Sequence, residues 1–400
     1  MALMHAVAAW SRNRTDPAYI LVCTVDHRLR DGSTAEAEAV GRAAATLGLQ
    51  HVIATNTQEP PMAFSQAWAR DLRYGLLTGV ARAGAAPDAR VAVVTAHHAG
   101  DQMETILMRL QRGSGLDGLV GMRAERVLAP ADVAAGLQEV MLVRPLLKTL
   151  KTTIDNALAH SGVASFDDPS NANTRFERVR LRTVLRQHVG DGALSEAIRL
   201  SAGRLGRAHA ALEVMTDRLL GDRNLVDLNG YGFVRLDWAR LFDEPEELRL
   251  RLLVRLQTWL SPRRVFLGQQ EDRFRSATPD SVPAGNGHVV FTKPKHGITL
   301  VLPERARLAN HVVQAGGPTV RFAAFDCVSH RDGIVGRLDQ RGLTALKAIN
   351  HPLPALPHAV WMVQPALFGH DGQLLAAPTL GFHAGRLAAV LRPVPLAGQG

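Results

Sequence analysis

The stretch from residue 97 to residue 105 brings imidazole, carboxylate and hydroxyl groups together at spacings that suit chemistry. His97, Asp101 and Thr105 are four residues apart, so they share one face if the stretch is helical. Such groups can transfer a proton or orient a reacting atom, and Glu104 adds a second carboxylate. We therefore predict His97, Asp101 and Glu104 as the catalytic candidates.

A buried strand and a helix are predicted to position these groups. The apolar run Val91–Val94 is short, β-branched and unbroken, which is typical of a strand buried on both faces. After it, apolar residues recur at helical spacing, at Met103, Ile106, Leu107 and Leu110. The histidines at 97 and 98 therefore stand where a strand becomes a helix, which is where ligands bind in open α/β sheets.

A second group of polar residues follows another predicted strand. The apolar residues 20–25 end at Asp26 and His27. Because strands alternate with helices along this part of the chain, we predict right-handed crossovers and a doubly wound, mostly parallel α/β sheet. Both strand ends then lie on one edge of the sheet, so the two groups are interpreted as one site. For any one of these histidines alone, a structural role is the better expectation.

The composition bounds the class of protein. The 400 residues suffice for two or three domains, and 46% hydrophobic with 21% charged residues is ordinary for a globular chain. The formal charge of +9 fits either a polyanionic partner such as nucleic acid or a general aid to solubility. No apolar run approaches the ~20 residues of a membrane span and no signal-peptide pattern is present, so we expect a cytoplasmic protein with no membrane partner.

The two cysteines exclude some classes of site. Cys23 and Cys327 lie far apart in the sequence, and Cys23 stands inside an apolar run typical of a core strand. Two distant cysteines exclude a disulfide framework and a cysteine-based metal centre. No residue is predicted as a metal ligand.

Two further stretches carry candidate binding residues. The glycine-rich residues 113–130 contain Gly113-Ser114-Gly115, which could cradle a phosphate through backbone N–H groups or form an ordinary turn. An Asp-Pro-Ser-Asn turn then leads into a helix rich in arginine, which favours phosphate or RNA binding over a merely solvated basic face. The RNA-binding candidates are Asn171, Arg175, Arg178, Arg180 and Arg182.

Three regions are expected along the chain. Residues 1–190 are expected to form the nucleotide-binding catalytic domain, and residues 191–310 a helical linker with a smaller α+β domain. The latter includes an amphipathic helix over 246–260 and a hairpin over 289–302. Residues 311–400 form a C-terminal region that is predicted to bind substrate.

Over residues 1–190 the motifs together resemble one family, the tRNA(Ile)-lysidine synthetases of the PP-loop ATP-pyrophosphatase superfamily. The matching pieces occur in the family's order: Val25-Asp26-His27-x-Leu29-Arg30, Arg70-x-x-Arg73-Tyr74, Ala96-His97-His98-x-x-Asp101-x-x-Glu104-Thr105, Arg112-Gly113-Ser114-Gly115-Leu116-x-Gly118-Leu119-x-Gly121-Met122, Arg144-Pro145-Leu146, Asp168-Pro169-Ser170-Asn171, Arg175-Phe176 and Arg178-x-Arg180. The remainder is similar to the family's tRNA-binding C-terminal part, with weaker motifs.

The resemblance implies a reaction. Members use ATP with Mg²⁺ to adenylate the C2 oxygen of the wobble cytidine in an isoleucine tRNA with a CAU anticodon. The ε-amino group of free L-lysine then displaces AMP and forms lysidine, so that the tRNA reads AUA. The implied roles are a base or orienter for His97 and Asp101, and tRNA contact for the arginines of 175–182. The implied cofactor-binding residues are Asp26, His27, Arg112, Gly113 and Gly115.

The sequence departs from the family in three places. The superfamily signature Ser-Gly-Gly-x-Asp-Ser is absent, and residues 1–5 resemble the helix that directly follows it. Gly100 stands where members commonly have an acid, and Val179 replaces a usual Asn.

The missing signature raises an expectation about the start of the chain. Without the first, central strand of such a fold, the strands that end at residues 25 and 94 lose a shared partner. We therefore expect Met1 to be a misassigned start, with the strand and the PP-loop encoded upstream. An in-frame stop codon before any such motif would contradict this. Residues 1–400 by themselves are expected to bind ATP poorly and to have little ligase activity.

Three alternatives remain open at this stage. A tRNA cytidine thiolase of the same superfamily needs suitably placed cysteines, which Cys23 and Cys327 are not. An RNA-binding relic without an ATP site is compatible with the missing signature. A nucleotide-binding metabolic enzyme fits the first domain but neither the basic helix nor the second domain.

Overall fold

The computed structural model describes residues 1–15, 18–26, 33–56, 66–86, 88–129, 138–161, 177–188, 193–261, 270–283, 289–317, 319–385 and 389–393. The chain divides into two compact units, residues 1–207 and 208–400. The division falls within one long helix, and each unit is described by itself.

The first unit alternates strands and helices. Its elements are α1 (Ala2–Arg12), β1 (Leu21–Asp26), α2 (Ser33–Thr46), β2 (Gln50–Thr55), α3 (Gln66–Ala83), β3 (Val91–Val94), α4 (Ala99–Gln111), α5 (Leu116–Leu119), β4 (Glu125–Ala129), β5 (Val140–Val143), α6 (Lys151–His160), α7 (Glu177–His188) and the first half of α8 (Ala193–Gly221). The predicted strands at 20–25 and 91–94 and the predicted helix after His98 are confirmed within one or two residues.

Two sheets form in this unit. β1 pairs in parallel with β2, and β3 pairs in parallel with β5, which also carries the antiparallel β4. Among the described residues no ladder joins β1 to β3. Helix α3 packs against strands of both sheets. The α/β class predicted from the sequence is confirmed.

The sequence did not predict β4, β5 or the short helix α5. Glycines dominate the first half of residues 113–130 and indicate a loop, yet α5 and β4 lie within this segment. The reason is tertiary, because β4 and β5 pair with each other and bury Val140 and Leu142 completely. These two residues form a core with Val91 and Val93, covered by Tyr74 and Leu77 of α3.

The second unit is α+β. Its elements after α8 are β6 (Val226–Leu228), β7 (Val234–Asp237), α9 (Trp238–Leu241), α10 (Glu246–Leu260), α11 (Glu271–Arg275), β8 (Val289–Phe291), β9 (Ile298–Pro303), β10 (His311–Val313), β11 (Val320–Phe322), β12 (Phe325–Ser329), β13 (Gly333–Arg337), α12 (Asp339–Ala348), α13 (His358–Trp361), β14 (Pro365–Phe368), β15 (Leu374–Ala377), β16 (Phe382–His383) and β17 (Ala389–Pro393). Short 3-10 helices cover Arg305–Arg307 and Pro378–Leu380. The predicted helix at 246–260 and the hairpin at 289–302, formed by β8 and β9, are confirmed.

One hydrophobic core runs through much of the second unit. It joins Leu252 and Leu256 of α10 to Phe325 of β12, Val335 of β13 and Leu367 of β14. The boundary expected at residue 310 therefore falls inside a continuous core, because strands on both sides of that position pack on α10. Among the described residues, no helix is both long and apolar enough to cross a membrane.

Candidate functional site

His97 lies just past the carboxyl end of β3, where the sequence predicted it. The neighbouring Thr95 is buried, and its Oγ1 forms a 2.9 Å hydrogen bond with Nδ1 of His97. The backbone N–H of Thr95 donates to Val143 of β5, so the ends of these two parallel strands converge at the imidazole. No partner for the second ring nitrogen is found in the part of the chain that the structure describes, which leaves it available to a substrate.

The charges around His97 are mostly positive. Burial lowers the pKa of His97 from 6.5 to about 4. The carboxylate of Asp101 acts in the opposite direction, while the guanidinium groups of Arg144, Arg73 and Arg70 lower the pKa further. A histidine with this pKa is neutral at physiological pH, so it can donate or accept a hydrogen bond but is a weak base.

Arg144 is a member of this site that the sequence did not predict. It directly follows β5, is 2% exposed, and donates from Nη1 to the carbonyl of Arg123 at 2.7 Å. Its buried Nε has no hydrogen-bond partner in the described part of the chain. A buried guanidinium N–H without an acceptor suits a phosphate oxygen, so this position fits an anionic ligand such as the phosphates of ATP. The sequence signals were its place directly after an apolar run and the motif Arg144-Pro145-Leu146, to which no role was assigned.

Asp101 caps the helix that carries it. The backbone N–H of His98 donates to Oδ2 of Asp101 at 2.9 Å, and the backbone N–H of Gly100 donates to Nδ1 of His98 at 3.0 Å. This capping box fixes the first turn of α4 directly after His97. Asp101 therefore holds the backbone beside the imidazole and also opposes the positive charge around it. At Gly100 an added Cβ would lie 2.8 Å from the His98 ring, so a side chain there would displace the cap.

Glu104 and Arg182 form an ion pair that joins α4 to α7. Arg182 donates two hydrogen bonds to the carboxylate of the buried Glu104, from Nε to Oε1 at 2.7 Å and from Nη2 to Oε2 at 3.2 Å. The pair raises the pKa of Arg182, chiefly through this hydrogen bond. In the structure the carboxylate predicted for catalysis and the guanidinium predicted for RNA bind each other, which attaches α7 to α4. The reason is burial, because a buried carboxylate needs a charged partner. The catalytic role of Glu104 and the RNA contact of Arg182 stay predictions.

Arg112 also contacts α7. Its Nη2 lies 2.5 Å from Oε2 of Glu177 at the beginning of that helix. Arg112 follows the end of α4 and pairs with the first residue of α7, whereas Glu104 lies earlier in α4 and pairs with Arg182, later in α7. The two pairs therefore hold α7 antiparallel to α4. Arg112 was expected to bind the cofactor, and the structure shows it exposed and paired with Glu177.

The glycine-rich loop after α4 is held by two polar side chains of that helix. Nη1 of Arg109 donates to the carbonyls of Gly118 and Gly121 at 2.8 and 2.9 Å. The amide of Gln102 accepts from the N–H of Met122 and donates to its carbonyl. Gln102 and Arg109 were missed in the sequence, since helical spacing alone does not reveal which carbonyls a side chain will meet.

Gly113 ends α4 in place of cradling a phosphate. Its φ is +67°, which is the left-handed conformation typical of a residue after a helix end, and its N–H donates to the carbonyl of Leu110. The N–H of Ser114 likewise donates to the carbonyl of Arg109. These two N–H groups are therefore not free for a phosphate, while Gly115 precedes the first residue of α5.

Asp26 is buried at the end of β1, and its carboxylate is occupied. Ser33 and Thr34, the first residues of α2, donate to its two oxygens at 2.7 and 2.9 Å. Asp26 was expected to bind the cofactor; the contacts show it fixing the beginning of α2. Its neighbour His27 lies outside the described residues.

The predicted RNA-binding residues are described only in part. Asn171 and Arg175 lie outside the described residues, and of Arg178 only the backbone is described. Arg180 is exposed on α7. The preceding residue, Val179, is buried, and its carbonyl accepts a hydrogen bond from the hydroxyl of Thr183. Side chains are thus described for only two of the five candidates, Arg180 and Arg182.

The carboxylates of the site are engaged by protein groups, and the Mg²⁺ that the family resemblance implies stays a prediction. No group of three His, Cys, Asp or Glu side chains placed to hold a metal ion is found among the described residues. Asp26 accepts hydrogen bonds from two hydroxyls, and Glu104 pairs with Arg182. Mg²⁺ in nucleotide sites is commonly held by few carboxylates together with phosphates, and no reaction step is assigned to the ion.

Comparison with known proteins defines first the class and then the family. A family model described as PP-loop domain, an ATP-binding family, matches residues 1–189. A tRNA(Ile)-lysidine synthase of Ruegeria pomeroyi is 35% identical over 398 residues, which cover 96% of this chain and 87% of that protein. The chain belongs to the tRNA(Ile)-lysidine synthase family, and the resemblance found in its motifs is confirmed.

Two further proteins are similar over shorter parts of the chain. A tRNA(Ile)-lysidine synthase of Bradyrhizobium diazoefficiens is 38% identical over 259 residues, covering 64% of this chain and 68% of that protein. Among solved structures, U34-tRNA thiolase NcsA from Methanococcus maripaludis with its 4Fe–4S cluster matches with a TM-score of 0.39 and 12% identity, covering 51% of this chain and 67% of that one. At that TM-score the likeness supports no conclusion.

Proposed function

We propose that this chain ligates free L-lysine to C2 of the wobble cytidine of an isoleucine tRNA with a CAU anticodon, at the expense of ATP, and so forms lysidine. The observation that carries the proposal is the match to a relative of that name along nearly the whole of both chains. The site at the carboxyl ends of β3 and β5 supports it, since it combines a neutral imidazole with positive charge.

The reaction has two steps. The C2 oxygen of the cytidine attacks the α-phosphorus of ATP and pyrophosphate leaves, which gives an adenylated tRNA. The neutral ε-amino group of lysine then attacks C2, the C–O bond breaks, AMP leaves and one proton is released. Negative charge develops on phosphate oxygens in the first step, and the buried Arg144 supplies opposite charge near that place.

His97 is assigned to orienting the reacting groups. With Nδ1 bound to Thr95, the ring is fixed and its second nitrogen faces a ligand as a neutral hydrogen-bonding group. A pKa of about 4 makes the imidazole a poor proton acceptor at pH 7, so strong base catalysis is not assigned to it. Asp101 is a positioning residue, because it caps α4 directly behind the imidazole.

The test follows transfer of labelled lysine into RNA. The protein, ATP, labelled lysine and a transcript of the CAU isoleucine tRNA are expected to give lysine-dependent release of AMP and labelled RNA. A transcript with uridine in place of the wobble cytidine is the matched control and is expected to stay unlabelled. Labelling of both transcripts alike contradicts the proposal. The dependence of labelling on the wobble cytidine decides the outcome.

A second candidate is an RNA-binding protein that lacks ATP-dependent activity. The formal charge of +9, which fits a polyanionic partner, is the observation that favours it. Titration with ATP by calorimetry, followed by binding of the same transcript, separates the two candidates. Binding of the transcript with no labelling and no ATP affinity supports the second candidate, while ATP affinity in the micromolar range contradicts it.

A further inference from the structure

The first half of α3 carries two exposed arginines one turn apart. Arg70 and Arg73 are both exposed, and residues three apart on a helix are neighbours on its surface. Arg70 lies over the ring of Tyr74, with its Cζ 5.3 Å from the ring centroid, and Arg126 of β4 lies 5.6 Å from the same centroid. The tyrosine thereby holds the stem of Arg70 against the helix while its charge stays in solvent.

The packing of α3 places these arginines toward the end of the unit that carries His97. Near the other end of α3, Nε of Arg82 donates to the carbonyl of Gln138, which lies just before β5. Because β5 is parallel to β3 and α3 packs along their core, the beginning of α3 lies toward the carboxyl ends of both strands. The charge of Arg73 lowers the pKa of His97, which follows β3, and opposes the rise that burial causes in the pKa of Cys23 on β1. Arg70 also acts on His97. Arg73 therefore lies near β1 and near the carboxyl end of β3, on the side of the unit that carries the imidazole.

The charges of these two arginines are not neutralised within the described fold. In the described part of the chain no carboxylate pairs with Arg70 or Arg73, whereas Arg182 and Arg112 are each paired with a glutamate. An exposed pair of cations without acidic partners, beside a substrate site, favours an anionic ligand that arrives from solvent. Arg144 differs because it is buried and suits a ligand enclosed in the site.

We propose that Arg70 and Arg73 bind the phosphodiester backbone of the RNA next to the target nucleotide. The proposal rests on the proposed function, because a nucleotide brought to His97 carries its flanking phosphates past these side chains. RNA is favoured over ATP because both guanidiniums lie on an exposed helix surface, where an extended polyanion can contact them in succession. Backbone contacts of this kind position a substrate without reading its sequence.

The experiment measures binding of the CAU isoleucine tRNA transcript in the absence of ATP, over a series of salt concentrations. The double variant Arg70→Gln, Arg73→Gln keeps most of the side-chain length and removes both charges. Each lost phosphate contact lowers the slope of log K against log salt by about 0.7–0.9, so a decrease of about 1.5 is expected, with roughly tenfold weaker binding at ~0.1 M salt.

The matched control is Arg90→Gln. Arg90 is exposed and directly precedes β3, so it lies at the opposite end of that strand from His97. Replacing Arg90 by glutamine changes the net charge by one unit but is expected to leave the slope of log K against log salt unchanged. Circular dichroism compares the fold of each variant with the wild type. Should the double variant unfold, Arg73→Gln alone decides the question, since the described fold places no ion pair on that residue.

The outcomes are separable from those of the lysine-transfer test. A reduced slope for the double variant and an unchanged slope for Arg90→Gln support the assignment, whether or not lysine is transferred. Unchanged tRNA affinity and slope in the double variant overturn it. A fall in ATP affinity alone in the double variant also overturns the assignment, because the two arginines then bind the phosphates of ATP.

Discussion

Nε of Arg182 lies 2.7 Å from Oε1 of Glu104, a residue 78 positions earlier in the chain. The carboxylate is buried in α4, while the guanidinium comes from α7, and Arg182 also lies 3.8 Å from Oδ1 of Asp101. The helix expected to contact RNA is thus attached to the helix that begins beside His97.

Removing the charge of Glu104 is expected to loosen α7. In Glu104→Gln the guanidinium of Arg182 loses its charged partner, and such bonds contribute about 1.5–3 kcal/mol. Hydrogen exchange of the α7 amides should therefore accelerate, while exchange in α10 of the second unit stays unchanged. The exposed pair Lys151–Asp155 is the matched control, since Asp155→Asn should change exchange in α6 by less than about 1 kcal/mol.

A double-mutant cycle checks that the effect belongs to the pair. Glu104→Gln combined with Arg182→Gln should cost less than the sum of the single changes, because the double variant leaves no buried charge unpaired. Strict additivity of the two effects on α7 exchange would show that the contact contributes nothing.

His97 is expected to titrate near pH 4. Its folded pKa of about 4 lies below the ordinary value of 6.5, so the unfolded chain takes up the proton first as the pH falls. Its contribution to stability is therefore complete above pH 6.5 and is lost between pH 6.5 and 4. Histidine NMR signals that disappear in His97→Asn identify the ring and give its midpoint. A midpoint near 6.5 in the wild type contradicts the burial described for the site.

Arg144 is expected to keep His97 neutral. Replacing it by methionine removes a nearby positive charge, so the midpoint of His97 should rise. Arg73→Gln should act in the same direction without disturbing a buried position, and serves where Arg144→Met does not fold. Arg90→Gln, at the other end of β3, should leave the NMR midpoint where it is. An unmoved midpoint in both test variants would refute the electrostatic role.

The glycine at 121 is expected to resist substitution. Its φ is +78°, and an added Cβ would lie 2.7 Å from the amide of Gln102, which holds the loop. Gly121→Ala should cost about 1–3 kcal/mol and accelerate exchange in residues 118–122. Gly203→Ala is the control, since no atom lies within 4 Å of the added Cβ in α8, and it should stabilise that helix by about 0.5–1 kcal/mol. Equal effects of the two changes would contradict the assigned strain.

Much of the first unit was determined by the sequence. The apolar run at 91–94, the helical spacing after His98 and the strand at 20–25 are local patterns, and local patterns fix which segment becomes which element. The same motifs, in their order, indicated the family that the comparison with Ruegeria pomeroyi confirms. The place of His97 at a strand end also followed from alternation of strands and helices.

Only the tertiary structure decided what each polar side chain does. Glu104 and Asp26 look like free carboxylates in the sequence, yet one pairs with Arg182 and the other accepts from Ser33 and Thr34. β5 was not predicted, so neither was the buried Arg144 that follows it. The physical reason is that burial and charge pairing join residues far apart in the chain. Periodicity reports only which residues face the same way on one element.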